Sequence, residues 1–333
     1  MKKILVTGGT GFIGSLLARR LVEQEYEVKI LRRVNSPLTN IYDIKIEHCI
    51  GDVRDIDSLR SAMQGCDTVF HTAAVISFWK PKHTLMYEVN VNGTRNIVQA
   101  CLTNNIERLV HTSSIAAIGK PIPPHTFADE TTPFNWNSSL NGYKHSKYLG
   151  EQEVMKGVQQ GLAAVIVNPA VVIGPGDIHF NGSDFIRKSK QGLIPFYLQG
   201  GMNVAYVEDV VRGHIAAALR GRSGERYILG GTNLTHKEAF QIIARIVNGH
   251  VPKINMPVPF VKLAAKFFDG LGTLTNKEPM ITSELISGAG LHNWYTSAKA
   301  ERELGYTITP FEDAVLRTYQ WMVEQKLVGT SKE

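Results

Sequence analysis

A tyrosine and a lysine four residues apart could carry acid–base chemistry. Tyr143 and Lys147 stand at i and i+4 in the segment YKHSK, so a helix would place both side chains on one face. A phenol with a pKa near ~10 is a weak acid–base at neutral pH unless a neighbouring cation stabilises the phenolate. The lysine, one helical turn away, can supply that cation, and the tyrosine can then act as a general acid or base.

A serine upstream offers the second component of a site. Ser114 is the second residue after the predicted strand from Glu107 to Thr112. A hydroxyl at the C-terminal end of a parallel strand lies in the crevice where doubly wound sheets bind ligands. There Ser114 can donate a hydrogen bond to a substrate oxygen while Tyr143 gives or takes the proton. Tyr143, Lys147 and Ser114 are therefore the predicted catalytic residues.

A glycine-rich turn stands between the first predicted strand, Lys3 to Thr7, and the first predicted helix, Phe12 to Glu23. Such a turn is tight, lets the backbone approach a pyrophosphate, and places the phosphates on free amides at the helix N-terminus. The order of strand, turn and helix predicts dinucleotide binding. The residues expected to contact the cofactor here are Gly8, Thr10, Gly11, Phe12, Ile13 and Gly14.

Two arginines follow the second predicted strand, Glu27 to Leu31. Proteins specific for NAD usually present Asp or Glu at this point to the ribose hydroxyls. The guanidinium groups of Arg32 and Arg33 instead suit a 2′-phosphate, through charge-assisted hydrogen bonds. We therefore favour NADP(H) as the cofactor. NAD(H) is the alternative, with the arginines simply facing solvent.

Asp52 follows the third predicted strand, Lys45 to Ile50. In that position its carboxylate is placed to accept a hydrogen bond from the adenine amino group. It could also cap the helix predicted from Asp55 to Met63, and the two roles are compatible.

Short strands alternate with helices through Asn168, which predicts βαβ units and right-handed crossovers. The fold class is therefore α/β, a doubly wound parallel-sheet Rossmann fold, followed by a smaller, mixed C-terminal substrate lobe. We expect residues 1–170, with sheet and helix elements from about 203–232, to form the NADP-binding domain. Residues 171–202 and 233–333 are expected to form the substrate-binding lobe.

The composition narrows the class of protein. The 333-residue chain has 43% hydrophobic and 20% charged residues and a net charge of +6, as expected for a soluble globular protein. Its Lys and Arg residues form only short groups, which argues against nucleic-acid binding. Cys49, Cys66 and Cys101 lack metal-ligand spacing, so we predict no metal site and a reducing, cytoplasmic location. The apolar runs are too short for a membrane span.

Several motifs together resemble the extended short-chain dehydrogenase/reductases of the NAD-dependent epimerase/dehydratase superfamily. They are TGGTGFIG, GDVRD, HTAA, NVNGT, HTSS, YKHSK and NPAVVIGPGD, and the resemblance covers nearly the whole chain. It is greatest for the dihydroflavonol 4-reductase and 3β-hydroxysteroid dehydrogenase-like branch. The resemblance implies reduction of a ketone or aldehyde, or oxidation of the matching alcohol, with Tyr143 as acid–base. Lys147 would assist it and hold the ribose, and Ser114 would bind the substrate oxygen.

The same resemblance implies further roles. Asn90 would steady the active-site helix, and Pro169 and Val172 would border the nicotinamide. A homodimer is expected, formed through two helices per subunit, one of which carries Tyr143. Other residues expected along the cofactor are Val53, Thr72, Ala73, Ala74 and Thr112.

One departure from the family pattern narrows the reaction. Sugar-nucleotide dehydratases carry an Asp-Glu pair where this chain has Ser113 and Ser114, so dehydration is disfavoured. A nucleotide-sugar epimerase with retained NAD(P) stays open as the alternative, although such enzymes commonly have an acid at the position of Arg32. A non-enzymatic NADP-sensing protein is a third reading, against which the intact catalytic set argues.

An apolar stripe runs from Phe260 to Phe268 and contains two lysines. We expect it to form the wall of the substrate pocket or the core, with a membrane-surface helix as the alternative. Phe78 and Trp79 are expected on the same wall, which would suit a hydrophobic substrate.

Overall fold

The computed structural model describes residues 1–123 and 125–328. Its first half alternates strands and helices much as the apolar periodicity predicts. The strands are β1 Lys3–Thr7, β2 Glu27–Arg32, β3 Glu47–Ile50, β4 Thr68–His71, β5 Arg108–Thr112 and β6 Ala164–Pro169. The helices are α1 Phe12–Glu23, α2 Ile56–Ala62, α3 His83–Tyr87, α4 Thr94–Thr103 and α5 Gly142–Gln159, with a π-helical segment, Glu88–Gly93, joining α3 to α4.

The second half adds further strands, most of them short, and further helices. Its strands are β7 Val171–Ile173, β8 Phe196–Tyr197, β9 Gly201–Tyr206, β10 Arg226–Leu229, β11 Thr232–Thr235 and β12 Ile254–Asn255. Its helices are α6 Asp184–Lys190, α7 Val207–Arg220, α8 His236–Val247, α9 Val258–Thr275, α10 Ala298–Leu304 and α11 Phe311–Glu324.

Seven strands form one parallel sheet in the order β10-β6-β5-β4-β1-β2-β3. The chain starts in the middle of the sheet, winds to one edge through β3, and returns past β1 to build the other half. Because the strands are parallel, their C-terminal ends share one edge of the sheet, and the order reverses beside β1. The predicted doubly wound Rossmann fold is confirmed.

The core explains why the inner strands are apolar on both faces. Along β1, Ile4 and Val6 belong to a cluster with side chains of α1 and α7, whereas Leu5 belongs to a cluster with side chains of α2, α4 and α5. Successive side chains of a strand point to opposite faces, so a sheet covered by helices on both sides needs an uninterrupted apolar run.

The smaller lobe is built differently from the main sheet. A three-stranded sheet, β11-β9-β7, packs with α8 and α11 in a separate apolar cluster. Elements from 203–232 are expected in the nucleotide-binding domain. Of these, β10 pairs with β6 in the main sheet and α7 packs on that sheet. Strand β9 instead pairs with β7 and β11. Helix α10 lies within the range expected in the substrate lobe, yet it packs on α7 and β10.

Helix α9 corrects one expectation. Its buried residues are Val261, Ala265 and Gly272, and the large apolar side chains of the Phe260–Phe268 stripe face outward. The large side chains of the stripe therefore form neither the pocket wall nor the core, because Val261 and Ala265 are the stripe residues that face inward. None of the helices in the described ranges combines the length and apolar character that a bilayer crossing requires.

Candidate active site

One cleft of about 870 Å³ runs along the C-terminal ends of the main-sheet strands. It brings together residues that are far apart in sequence. Of the predicted site residues, those that line it are Gly8, Thr10, Gly11, Phe12, Ile13, Gly14, Arg32, Arg33, Asp52, Val53, Thr72, Ala73, Ala74, Thr112, Ser114, Tyr143, Lys147, Pro169 and Val172. Asn90 is not among the lining residues.

The glycine turn at the end of β1 forms a closely packed cradle in which two glycines leave no room for a side chain. Gly8 has φ +69°, and a Cβ there would lie 2.7 Å from the nitrogen of Ala73. A Cβ on Gly14 would lie 2.3 Å from the carbonyl oxygen of Gly8. Helix α1 has no side-chain cap and no acidic residue in its first turn. The turn therefore fits a dinucleotide pyrophosphate, which would meet backbone amides at a helix N-terminus.

The end of the cleft beside β2 carries the two arginines. Arg32 donates from Nε to Nδ1 of His48 at 2.8 Å, and one Nη lies 3.3 Å from the carbonyl oxygens of Arg33 and Val34. These contacts hold the guanidinium of Arg32 against the turn after β2. Arg33 is exposed beside it.

Asp52 does not cap α2. Its carboxylate accepts hydrogen bonds from the backbone nitrogen of Arg54 at 3.0 Å and from the guanidinium of Arg54 at 2.8 Å. That hydrogen bond lowers the pKa of Asp52. Asp55 provides the cap, accepting from the backbone nitrogens of Asp57 and Ser58. The capping role suggested for Asp52 is therefore wrong, because the helix starts one turn later than that role requires.

Helix α5 presents Tyr143 and Lys147 to the cleft. Burial raises the pKa of Tyr143 to about 12, and the neighbouring Ser114 side chain acts in the opposite direction. Burial lowers the pKa of Lys147 to about 8, against an opposing contribution from Glu151. The Lys147 ammonium donates to the carbonyl oxygen of Thr112 at 2.8 Å. At neutral pH the phenol is therefore protonated, ready to give a proton to a substrate oxygen, and the ammonium beside it is charged.

Ser114 has a fixed orientation at the end of β5. Its hydroxyl oxygen accepts a hydrogen bond from the backbone nitrogen of Ala116 at 3.1 Å, which leaves the hydroxyl hydrogen to donate elsewhere. Asn168, at the end of β6, donates from its amide nitrogen to the carbonyl oxygen of Ser114 at 2.9 Å and to the buried carboxylate of Glu151 at 2.6 Å. The amide of Asn168 thus joins the ends of β5 and β6 to helix α5.

Asn90 lies behind the cleft and contacts the catalytic helix directly. Its amide nitrogen donates to the hydroxyl of Ser146 at 3.0 Å and to the carbonyl oxygen of Val75 at 2.9 Å. Ser146 in turn donates to the carbonyl oxygen of Tyr143 at 2.8 Å. Through this chain, Asn90 links the loop after β4 to the first turn of α5.

The chain is similar to known proteins in both sequence and fold. The profile of the NAD dependent epimerase/dehydratase family matches residues 4–230. The chain belongs to this family. A putative dihydroflavonol 4-reductase from Synechocystis is 35% identical, covering 98% of this chain and 96% of that protein. A 3-beta-hydroxysteroid dehydrogenase from Mycolicibacterium neoaurum is 28% identical, covering 91% and 86%. The crystal structure of gox2253 superposes with a TM-score of 0.86 at 34% sequence identity, and the match covers 99% of this chain and 100% of the gox2253 chain.

These relatives place the chain among the extended short-chain dehydrogenase/reductases, in the dihydroflavonol reductase and 3β-hydroxysteroid dehydrogenase-like branch. The family includes oxidoreductases and epimerases, so the protein is an enzyme that uses a nicotinamide cofactor. The glycine cradle described above fits such a cofactor, because the turn is tight and leaves the N-terminus of α1 without a side-chain cap.

Glu284 contacts the site of this extended short-chain dehydrogenase/reductase, although no local sequence pattern indicates that contact. The carboxylate of Glu284 accepts a hydrogen bond from the backbone nitrogen of Tyr143 at 2.7 Å and another from Nε2 of His83 at 2.9 Å. Glu284 comes from the segment after α9, far from α5 in sequence. It satisfies one of the amides that a helix N-terminus leaves without a partner, which no spacing pattern could have revealed.

Lys144, next to Tyr143, is tied to the same segment. Its ammonium donates to Asn141 at 2.7 Å and to Ser287 at 2.8 Å, and it lies 4.3 Å from the ring centre of Trp136. Burial lowers the pKa of Lys144 to about 8, partly offset by Glu284. The second lobe is thus fastened to the first turn of α5 on both sides of Tyr143.

The end of the cleft beside Tyr143 has an apolar wall, and His179, Asn181, Asn203, His236 and Asn293 also line the cleft. Phe78 packs edge-on against the Tyr143 ring with centroids 5.4 Å apart. Trp79, expected on the same wall, is buried elsewhere and does not line the cleft, because the chain turns into a short 3₁₀ helix directly after it. Other apolar side chains at the cleft, none of them singled out from the sequence, are Ile76, Leu85, Trp136, Leu198, Met202, Leu285 and Ile286.

Proposed function

We propose that this enzyme is an NADP(H)-dependent oxidoreductase that reduces a ketone or aldehyde, or oxidises the matching alcohol. The convergence of Tyr143, Ser114 and Lys147 in the cofactor cleft carries the proposal. A bound nicotinamide supplies or accepts the hydride. Ser114 donates a hydrogen bond to the substrate oxygen, and Tyr143 transfers the proton to or from it. Lys147 stabilises the phenolate electrostatically and holds the ribose.

The residues beside Ser114 favour this reaction over elimination. Ser113 has a buried hydroxyl with no hydrogen-bond partner among the described residues, and neither it nor Ser114 is an acid. Elimination of water would need a proton acceptor and a donor at these positions. Serine hydroxyls supply a hydrogen bond without taking a proton, which suits polarisation of a carbonyl oxygen.

NADP(H) is the proposed cofactor, with NAD(H) as the alternative. Support comes from Arg32 and Arg33, which line the cleft at the end of β2 where a 2′-phosphate would lie. The apolar end of the cleft supports a hydrophobic substrate. We also propose a homodimer through two helices per subunit, one of them α5, and a cytoplasmic location in which Cys49, Cys66 and Cys101 stay as free thiols.

A cofactor-consumption assay tests the proposal. The purified protein is mixed with NADPH or NADH and a panel of ketones, aldehydes and UDP- or GDP-sugars, and the loss of reduced nicotinamide is followed. We expect oxidation of NADPH with apolar ketones or aldehydes. The family profile keeps a nucleotide-sugar epimerase as the second candidate. Tightly retained NAD after purification, with sugar-nucleotide turnover that needs no added cofactor, would replace the first proposal with the second.

A further inference from the structure

Helix α9 carries a row of large apolar side chains on its outer side. They recur at intervals of three and four residues, so they form one stripe along the helix, which we call the α9 apolar face. Its members and their exposed fractions are Phe260 67%, Leu263 69%, Phe267 69%, Leu271 45% and Leu274 87%. A contiguous exposed apolar patch of this kind marks a surface that contacts something other than water.

The charges on α9 lie beside this face. Lys262 and Lys266 are exposed on one flank of the helix, one turn apart. Asp269 is the acidic residue of α9, and its carboxylate accepts a hydrogen bond from the backbone nitrogen of Ser283 at 3.0 Å on the inner side. The outer surface of the helix therefore combines apolar side chains with uncompensated positive charge, and the whole chain carries a net charge of +6.

A second copy of the chain would be poorly held by this face. The helix has 18 residues, or about 27 Å of length, so pairing two such faces would bury roughly 500 Å² in total. Stable protein interfaces bury at least about 1,000 Å². A lipid surface has no such requirement, because each side chain that enters the bilayer interface contributes separately.

The inner side of α9 packs on the segment that closes the substrate end of the cleft. A Cβ on Gly290 would lie 3.2 Å from Val258, and one on Gly272 would lie 2.5 Å from Pro279. The segment held in this way lines the cleft with Leu285 and Ile286. The exposed face of α9 and the apolar end of the cleft are thus separated by one layer of chain.

We propose that the α9 apolar face binds the surface of an anionic lipid membrane, with the helix lying in the plane of the interface. The Phe and Leu side chains enter the boundary between headgroups and acyl chains. Lys262 and Lys266 extend from the flank to lipid phosphates and carboxylates. This inference stands independently of the proposed reaction, since it rests on the exposed apolar side chains and lysines of α9.

Vesicle sedimentation with the full chain tests the proposal. Vesicles of phosphatidylcholine alone are compared with vesicles that also contain phosphatidylglycerol. We expect binding to the anionic vesicles that weakens with salt. Lys262→Gln with Lys266→Gln should weaken it about fivefold per lysine, and Leu263→Ser with Phe267→Ser by about tenfold or more. Matched controls are Lys45→Gln with Lys237→Gln and, for the apolar change, Leu219→Ser, all at exposed positions off α9.

A reporter variant keeps the test independent of any folding defect. Phe267→Trp places an indole on the α9 apolar face, and its emission should shift to the blue and be quenched by brominated lipids in anionic vesicles. Leu219→Trp should show neither change. The proposal is overturned if the chain ignores anionic vesicles, or if the α9 variants bind them as well as wild type. It is equally overturned if light scattering shows that Leu263→Ser with Phe267→Ser splits a dimer.

Discussion

The carboxylate of Glu284 accepts a hydrogen bond of 2.7 Å from the backbone nitrogen of Tyr143. The amide belongs to the proposed acid–base residue, and the carboxylate belongs to the second lobe. Negative charge at a helix N-terminus is favourable, and the same carboxylate also binds His83 at 2.9 Å. The position of the first turn of α5 therefore depends on how the second lobe packs.

Replacing Glu284 should lower both stability and turnover. Glu284→Ala removes the acceptor from a partly buried amide, a loss of about 1–3 kcal/mol in the free energy of unfolding. Turnover should fall further than NADPH affinity, because the phenol moves while the glycine turn is untouched. Urea unfolding and steady-state kinetics measure both effects. Glu284→Gln, which retains one acceptor oxygen, should lie between Ala and wild type. Glu278→Gln, in the exposed ion pair with Lys82, is the control and should change little.

Tyr143→Phe should reduce turnover by about 10²–10⁴-fold, the usual contribution of a general acid. The ring remains to pack against Phe78, so folding and NADPH binding should stay nearly unchanged. Single-turnover kinetics measure the loss of rate, and fluorescence titration with NADPH measures cofactor binding. A variant with more than about a tenth of the wild-type rate would exclude Tyr143 as the acid–base.

Lys147 should make stability rise with pH in a defined window. Its pKa is about 8 in the folded protein, below the ordinary value of 10.5, because its ammonium is buried. Between these two values the unfolded chain holds more protons than the native one, so this residue adds about 1.4 kcal/mol per pH unit as the pH rises. Below pH 8 the destabilisation caused by burying the charged ammonium of Lys147 remains in full.

The matched variant for this prediction is Lys147→Met. Urea unfolding of wild type and Lys147→Met from about pH 7 to pH 10 gives the difference between their free energies of unfolding. The other titrating groups are common to both proteins, so their contributions cancel in this difference. The difference should favour Met at neutral pH and shrink as the pH rises. A difference that is constant with pH would show that Lys147 keeps its ordinary pKa.

Arg33 should set the preference for NADPH. Arg33→Ser removes charge-assisted hydrogen bonds to the 2′-phosphate worth about 1.5–3 kcal/mol, so the Kd for NADPH should rise by about 10- to 150-fold. The Kd for NADH should hardly change. Arg245→Ser, at an exposed position on α8, controls for the loss of one positive charge. Equal weakening of both cofactors would contradict the assignment of Arg33 to the phosphate.

Gly14→Ala should abolish cofactor binding, whereas Gly270→Ala should be harmless. The new Cβ at position 14 would lie 2.3 Å from a backbone oxygen of the turn, so the turn must open. At position 270 no atom lies within 4 Å, and alanine is favoured over glycine in a helix by about 0.5–1 kcal/mol. Titration with NADPH and thermal unfolding of both variants test this contrast. Normal NADPH affinity in Gly14→Ala would show that the cradle does not hold the pyrophosphate.

The confirmed parts of the fold depend on local patterns. The run of Ile4, Leu5 and Val6 is apolar because both faces of β1 are covered, and the strand and α1 lie where the pattern predicts. The capping role expected for Asp52 and the inward direction expected for the large side chains of α9 are wrong for one reason. An acid before a helix can cap it or bind a neighbour, and an apolar helix face can point inward or outward. Only the surrounding chain decides between such choices.

Taken alone, the sequence determined the order of elements, the glycine turn and the grouping of Tyr143 with Lys147, because each depends on residues within a few turns of one another. The tertiary structure decided that Glu284 reaches the amide of Tyr143, that Asn168 joins the strand end to α5, and that α9 turns its large side chains outward. These are contacts between distant segments. Their energies depend on packing that no local spacing records.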